Sequence, residues 1–319
     1  MKLAKIFAML LVVSSITISH AKPTNLANDI NKFKQELIHK FKFKEQEVNK
    51  VIANAKYNDK IINNMNTPYE DKSYAEYRKL FINQKRISEG REFYTKNNEY
   101  LKRVSEKYGV DPAIIVAIIG IESNYGKRTT QYRTLDSLYT LAFYYPERAK
   151  FFRYELTQFL ILCRELRISP ESVQGSYAGA LGIPQFMPSS YRHFARSTTN
   201  NHVPDLFDNQ EDAMTSIGNY LNHFGWSKGE NIIVPVKATK EIDTSKKYTI
   251  AEVKKLGIIP PKNLKDTQVV SVIQVDTNTP NPKTWLSFNN FKVIKKYNKS
   301  DLYALAVSEL AANIESVRS

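Results

Sequence analysis

The chain has 319 residues, a net charge of +14 at pH 7 and a single cysteine. One cysteine excludes an internal disulfide, so stability must come from packing, which a chain of this length can supply. The charge draws the protein toward polyanions, yet no nucleic-acid-binding motif accompanies it, and scattered lysines would give the same total without any partner.

At the start of the chain, Lys2 and Lys5 precede an apolar run from Ile6 to Val13, and Ser19-His20-Ala21 places small residues where a signal peptidase reads. This predicts a signal peptide over 1–21, cut after Ala21. The run is short for a bilayer span, and a retained anchor is the alternative. No cysteine stands near the cleavage site to carry a lipid, and no later stretch is long and apolar enough to cross a membrane. The expectation is an exported, periplasmic protein. The polyanions it would meet there are the cell wall, with its peptide carboxylates, and lipid head groups.

Ile30, Phe33, Leu37 and Phe41 recur at helical spacing, which predicts an amphipathic helical pair over 28–65, broken near Asn66-Thr67-Pro68. A further helix is predicted over 92–108. Asp111-Pro112 then marks a sharp helix start, with an N-capping Asp and Pro in the first turn. The helix that follows, 113–122, is almost wholly apolar and must be buried. Two helices are predicted over 134–167, split at Tyr145-Pro146, with Cys163 a buried small hydrophobe. Another spans 212–224 and is closed by Gly225. Beyond Gly229 the pattern turns strand-like at 232–236, 269–275 and 291–294, with turn formers such as Thr279-Pro280-Asn281-Pro282 between. Helix returns over 302–314. The reading is an α+β protein, predominantly α, with a small antiparallel β insert before the C-terminal helix.

Two segments carry candidate chemistry. In the first, Glu122 closes the buried apolar helix. Desolvation and the negative end of the helix dipole should both raise its pKa. A carboxylic acid kept protonated near neutral pH suits a general acid for glycosidic cleavage; a capping or salt-bridged glutamate is the plain structural alternative. The second segment, Ser172 to Tyr191, carries no charge in a chain that is 24% charged. Its small residues let backbone approach a ligand, and its amides, hydroxyls and rings suit a neutral sugar. A tight loop between packed helices would have the same composition. The five histidines show no ligand spacing, and no phosphate-binding glycine loop or serine-nucleophile elbow is present.

Tyr108-Gly109-Val110 followed by Gly120-Ile121-Glu122-Ser123-Asn124-Tyr125-Gly126 resembles the catalytic motif of the membrane-bound lytic murein transglycosylase B family. The stretch from Gly175 to Tyr191, with Gln185-Phe186-Met187-Pro188-Ser189-Ser190-Tyr191, resembles that family's second signature. Leu135-Asp136, Tyr145-Pro146 with Arg148, Asn219-Tyr220 with Gly225-Trp226, Tyr297-Asn298-Lys299-Ser300 with Tyr303-Ala304, and Tyr77-Arg78-Lys79 with Phe81 lie at matching intervals. The likeness covers most of the chain after residue 21 and is densest over 108–228.

The resemblance implies a lysozyme-like helical catalytic core over 77–228, with a helical N-terminal region over 22–76. A β domain over 229–296 and a C-terminal helix over 297–319 would complete the chain. It implies peptidoglycan glycan strands as substrate, cleaved at the β-1,4 bond between N-acetylmuramic acid and N-acetylglucosamine to leave a 1,6-anhydro ring. Glu122 would be acid and then base. Ser176, Gln185, Phe186, Tyr220, Tyr297, Asn298, Tyr303, Tyr77 and Arg148 would contact the glycan. Most glycosidases need two carboxylates; here the substrate's own acetamido group would replace the second. The family's EF-hand-like calcium loop is degenerate here. Over 197–208 the early acidic residues are missing, His202 stands where the sixth-position glycine belongs, and Asp208 survives at the twelfth place. No cofactor is therefore expected. A monomer is expected, nucleic acid is not a partner, and wall-synthesis proteins remain an open class of partner. A muramidase using a second acid such as Asp136, a non-catalytic wall-binding protein, and a binder of anionic polymers by charge alone are the rival readings.

Overall fold

A computed structural model describes residues 25–67, 72–127, 131–197, 203–238, 241–277, 279 and 282–315. The expected signal peptide lies outside these residues, as do residues 198–202 of the degenerate calcium loop and part of the 279–282 turn. In chain order the elements are α1 (Leu26–His39), α2 (Glu45–Asn54), α3 (Asp59–Met65), α4 (Tyr74–Phe81), α5 (Gln84–Lys96), α6 (Asn98–Tyr108) and α7 (Pro112–Ser123). Next come β1 (Tyr132–Arg133), α8 (Thr134–Tyr144), α9 (Ala149–Leu166), β2 (Gln174–Gly175), α10 (Pro188–Phe194) and α11 (Gln210–His223). The chain then forms β3 (Ile233–Val236), β4 (Lys247–Thr249), α12 (Ile250–Lys255), β5 (Val269–Val275), β6 (Lys283–Ser287), α13 (Asn289–Tyr297) and α14 (Asp301–Glu315). The protein is mostly helical with a few antiparallel strands, as the α+β reading expects. Among the described residues, 25–67 with 126–216 form one compact unit, and 72–125 with 217–315 form the other.

The first unit is organised on the α8–α9 hairpin. Phe152, Leu156, Phe159, Leu160 and Cys163 are among the buried side chains of α9. Phe33 of α1 meets Phe143 of α8 edge to face, with ring centroids 5.6 Å apart. Arg153 fastens α9 to Asp29 of α1 at 3.0 Å. Glu155 is a buried acid with a local task. It accepts from the Ser189 backbone N–H at 2.9 Å and from the Ser189 hydroxyl at 2.6 Å, at the start of α10. A helix N-terminus has unsatisfied N–H donors and a positive dipole end, so a carboxylate is well placed there.

The second unit is built around α7. Asp111 accepts from Ala113 N–H at 2.8 Å, and Pro112 enters the first turn. Every α7 side chain from Ala113 to Ser123 is buried, which is why the segment reads as apolar all round. Helix α14 packs along α7, and α4 and α5 pack on α14. Glu309 of α14 accepts from the Tyr74 hydroxyl at 2.8 Å and from Arg78 Nε at 2.5 Å, both on α4. The four-stranded sheet has the order β3-β6-β5-β4, and every neighbouring pair is antiparallel. Ile250, Val253, Val270, Val272, Leu286 and Phe288 form a core beneath it.

Three expectations need correction. The predicted helical pair over 28–65 is three helices, because residues 40–44 and 55–58 leave the helix before each restart. The predicted helix over 92–108 is the end of α5 and all of α6, separated at Asn97. The strand expected at 291–294 is helix α13, whose buried Asn290, Phe291, Val293, Ile294 and Tyr297 recur at steps of three and four. The β-branched pair Val293 and Ile294 suggested a strand, but the spacing is helical and the packing decides.

Candidate active site

Glu122 sits one residue before the end of α7 and is 2% exposed. The Tyr303 hydroxyl, reaching over from the first turns of α14, donates to Glu122 Oε1 at 2.7 Å. Tyr303 lies nearly parallel to Tyr297, at 6.5 Å and 9°. Tyr220 meets Tyr297 edge on at 5.0 Å and donates its hydroxyl to the Lys296 carbonyl at 2.5 Å. Tyr77 is buried on α4, 5.1 Å from Phe81. Burial, and after it the charge of Glu122, holds the Tyr297 and Tyr303 hydroxyls well above the usual phenol range. Tyr77 adds to this effect on Tyr303. These hydroxyls therefore keep their protons, and Tyr303 acts as a fixed donor to the carboxyl group.

The chain places these groups by ordinary local means. Asn298 follows α13 in extended backbone, and its Oδ1 accepts from Ser300 N–H at 3.1 Å. Ser300 Oγ in turn accepts from Tyr303 N–H at 3.3 Å, which starts α14 with Tyr303 in its first turn. At the other end of the arrangement, α7 terminates on Asn124 and Tyr125, both with positive φ. The Tyr125 ring folds back onto Gly120, where a Cβ would come within 2.7 Å of it. Tyr125 donates to the Arg86 carbonyl at 2.7 Å, and Arg86 Nη1 donates to the Gly120 carbonyl. Arg86 thus clamps the last turn of α7, two residues before Glu122. Nothing in the sequence around Arg86 signals this, because the contact spans 34 residues.

In the first unit, the uncharged segment forms a turn assembly. Ser176 Oγ accepts from Ala178 N–H at 3.2 Å and Ala180 N–H at 3.0 Å, and the Ser137 hydroxyl donates to the Ser176 carbonyl at 3.1 Å. Gln185 has a φ of 50° and donates Nε2 to the Gly182 carbonyl at 2.8 Å. Phe186 is buried and bridges Leu181 through backbone bonds of 3.1 and 2.8 Å. Gly182 has a φ of 66°, and a Cβ there would collide with the Leu206 carbonyl. Arg148 is not part of this assembly. Its guanidinium lies over Phe151 at 4.4 Å and Phe152 at 4.8 Å, and burial pushes its pKa down to about 10. Asp136, the second-acid candidate, is committed to Arg133 at 3.2 Å and to the Lys56 N–H at 2.8 Å.

No group of three or more His, Cys, Asp or Glu among the described residues could hold a metal ion. Asp205, within the degenerate calcium loop, spends Oδ1 on the Phe207 and Asp208 N–H groups. None of the helices among the described residues is long and apolar enough to cross a membrane.

A buried glutamate thus closes an apolar helix under a tyrosine hydroxyl, within a mostly helical, lysozyme-like fold. Residues 25–312 match the family described as Transglycosylase SLT domain. Membrane-bound lytic murein transglycosylase B of Escherichia coli is 32% identical over 309 residues, covering 92% of this chain and 85% of that protein. The structure of the Escherichia coli lytic transglycosylase SLT35 in complex with bulgecin A superposes with a TM-score of 0.84 at 33% identity, covering 91% of this chain and 93% of that one. Soluble lytic transglycosylase SltB1 of Pseudomonas aeruginosa gives 0.81 at 35% identity, covering 91% and 99%. The chain belongs to the SLT transglycosylase family and is a lytic transglycosylase.

Proposed function

We propose that Glu122 alone supplies the proton chemistry by which this lytic transglycosylase cuts peptidoglycan between N-acetylmuramic acid and N-acetylglucosamine. In the first step the carboxylic acid gives its proton to the glycosidic oxygen, and the bond from that oxygen to the muramic C1 breaks. In the second step the resulting carboxylate takes the proton of the muramic C6 hydroxyl as that oxygen bonds to C1. The acid is regenerated, a 1,6-anhydro ring is formed, and no water is consumed. The observation that carries this reading is the buried pairing of Glu122 with Tyr303. Burial disfavours the carboxylate anion, while the tyrosine fixes the direction in which the carboxyl group faces.

Tyr77, Tyr220, Tyr297, Asn298 and Tyr303 would hold the glycan near the acid; Ser176, Gln185, Phe186 and Arg148 are the further glycan contacts that the family resemblance implies. Amide, hydroxyl and ring groups of this kind match sugar hydroxyls, acetamido groups and pyranose faces. The signal-like segment over 1–21 favours export to the periplasm, where such a substrate lies. The test is the mass of the muropeptides released from purified peptidoglycan. Anhydro-muramyl products support the proposal. Reducing-end products, heavier by one water, would overturn it in favour of a muramidase.

A further inference from the structure

The first unit holds a cavity of about 390 Å³ lined by Asn58, Lys60, Gln131, Tyr132, Arg133, Asp136 and Gln174. None of these residues belongs to the glycan contacts named above. The volume lies within the roughly 300–1,000 Å³ usual for small-ligand pockets.

One part of the lining is fixed in place. Arg133 donates to Asp136 at 3.2 Å, to the Glu171 carbonyl at 3.3 Å and to the Asn54 carbonyl at 3.4 Å. Asn64 Nδ2 donates to the Tyr132 hydroxyl at 2.9 Å. The Tyr132 ring stands edge on to Tyr177 at 6.5 Å.

Another part is unspent. The Lys60 ammonium and the side-chain amides of Gln131 and Gln174 line the same space and bond to none of the described residues. Counting Lys60, Arg133 and Asp136, the lining carries one net positive charge. An ammonium beside two free carboxamides matches a carboxylate beside peptide N–H and C=O groups.

We propose that this cavity binds the peptide stem carried by the muramic acid, with a stem carboxylate on Lys60 and stem peptide groups on Gln131 and Gln174. The proposal rests on the peptidoglycan reading above. Placement supports it, because Gln174 pairs with Arg133 in the β1–β2 ladder and stands two residues before Ser176. Two residues of extended chain span about 7 Å. A muramic acid held at Ser176 would therefore have its stem within reach of the cavity.

The experiment compares kcat/KM on glycan strands with intact stems and on strands stripped of stems by an amidase. It uses the wild type, Lys60→Gln and Gln174→Ala. Both substituted residues are exposed, so both variants should fold, and their thermal midpoints check this. The wild type should prefer stem-bearing strands. Lys60→Gln should lower that preference about tenfold, the equivalent of losing one charge-assisted hydrogen bond, and Gln174→Ala should lower it less. A preference unchanged in both variants, or none in the wild type, would overturn the proposal.

A second measurement titrates the free stem peptide, released by the same amidase, into the wild type while amide shifts are followed by NMR. Shifts at Lys60, Gln131 and Gln174 that salt weakens support the proposal. Shifts produced there by the stem-free disaccharide instead would make the cavity a sugar subsite and overturn it. If neither glycan is cleaved, the peptidoglycan reading fails, and the peptide titration still decides the cavity.

Discussion

The tyrosine cluster around Glu122 and the turn assembly around Ser176 are both candidate ligand surfaces, yet they are made by opposite means. Around Glu122 the chemistry is carried by side chains on helices, and burial holds Tyr297, Tyr303 and the carboxyl group in register. Around Ser176 the backbone does the shaping. A serine hydroxyl staples two N–H groups, and Gly182 and Gln185 take positive φ. A side-chain site should therefore respond to functional-group deletions that leave the fold intact. A backbone site should respond to added atoms that disturb the fold itself.

Glu122→Gln sets the upper end of that contrast. It should lower turnover of peptidoglycan by about 10²–10⁴-fold, the usual weight of a general acid–base group, with the thermal midpoint nearly unmoved. Gly182→Ala should do the reverse. The Cβ meets the Leu206 carbonyl and the φ of 66° is strained for alanine, so unfolding in urea should show a loss of about 1–3 kcal/mol. An equal loss of stability in both variants would erase the distinction. Tyr303→Phe sharpens it further. Removing the donor to Glu122 Oε1 should cost roughly 1.5–3 kcal/mol of transition-state stabilisation, or about 10–150-fold in kcat/KM. A Tyr303→Phe enzyme as active as wild type would reduce the tyrosine to packing.

Smaller effects lie away from both surfaces. Ser189→Ala removes the 2.6 Å bond to Glu155 and should destabilise the first unit by about 1–2 kcal/mol in chemical denaturation. Smaller still is Asp243→Asn. Bonds from Ser245, and then Lys246, hold the Asp243 carboxyl at about 2, below its ordinary 3.8. A depressed folded pKa adds stability above the unfolded value and loses it as pH falls through the folded one. Asp243→Asn should therefore remove a slight stability decrease between pH 4 and pH 2, visible as a flatter thermal midpoint across that window. A steeper decrease in the variant would contradict the assignment.

How much of this was legible beforehand follows from the range of the contacts. Helix α7 and Glu122 were readable because Asp111-Pro112 and an unbroken apolar run act within a dozen residues. Among nineteen tyrosines, periodicity could not single out Tyr220, Tyr297 and Tyr303; the family resemblance did. The strand expected at 291–294 failed because residue type outweighed spacing in a short apolar run. Strands β4 and β6 and helix α12 went unread, since two of the three are too short to set a period. The Arg86 clamp on Gly120 and the Glu155–Ser189 cap join residues 34 apart. No local pattern encodes such pairs.

The central claim, that one buried glutamate performs both proton transfers, is tested most directly by digesting purified peptidoglycan with wild type and Glu122→Gln side by side and weighing the soluble products. The account predicts anhydro-muramyl products from the wild type and almost none from a Glu122→Gln protein that melts at the same temperature. Anhydro-muramyl products from Glu122→Gln within a few-fold of the wild-type rate would contradict it.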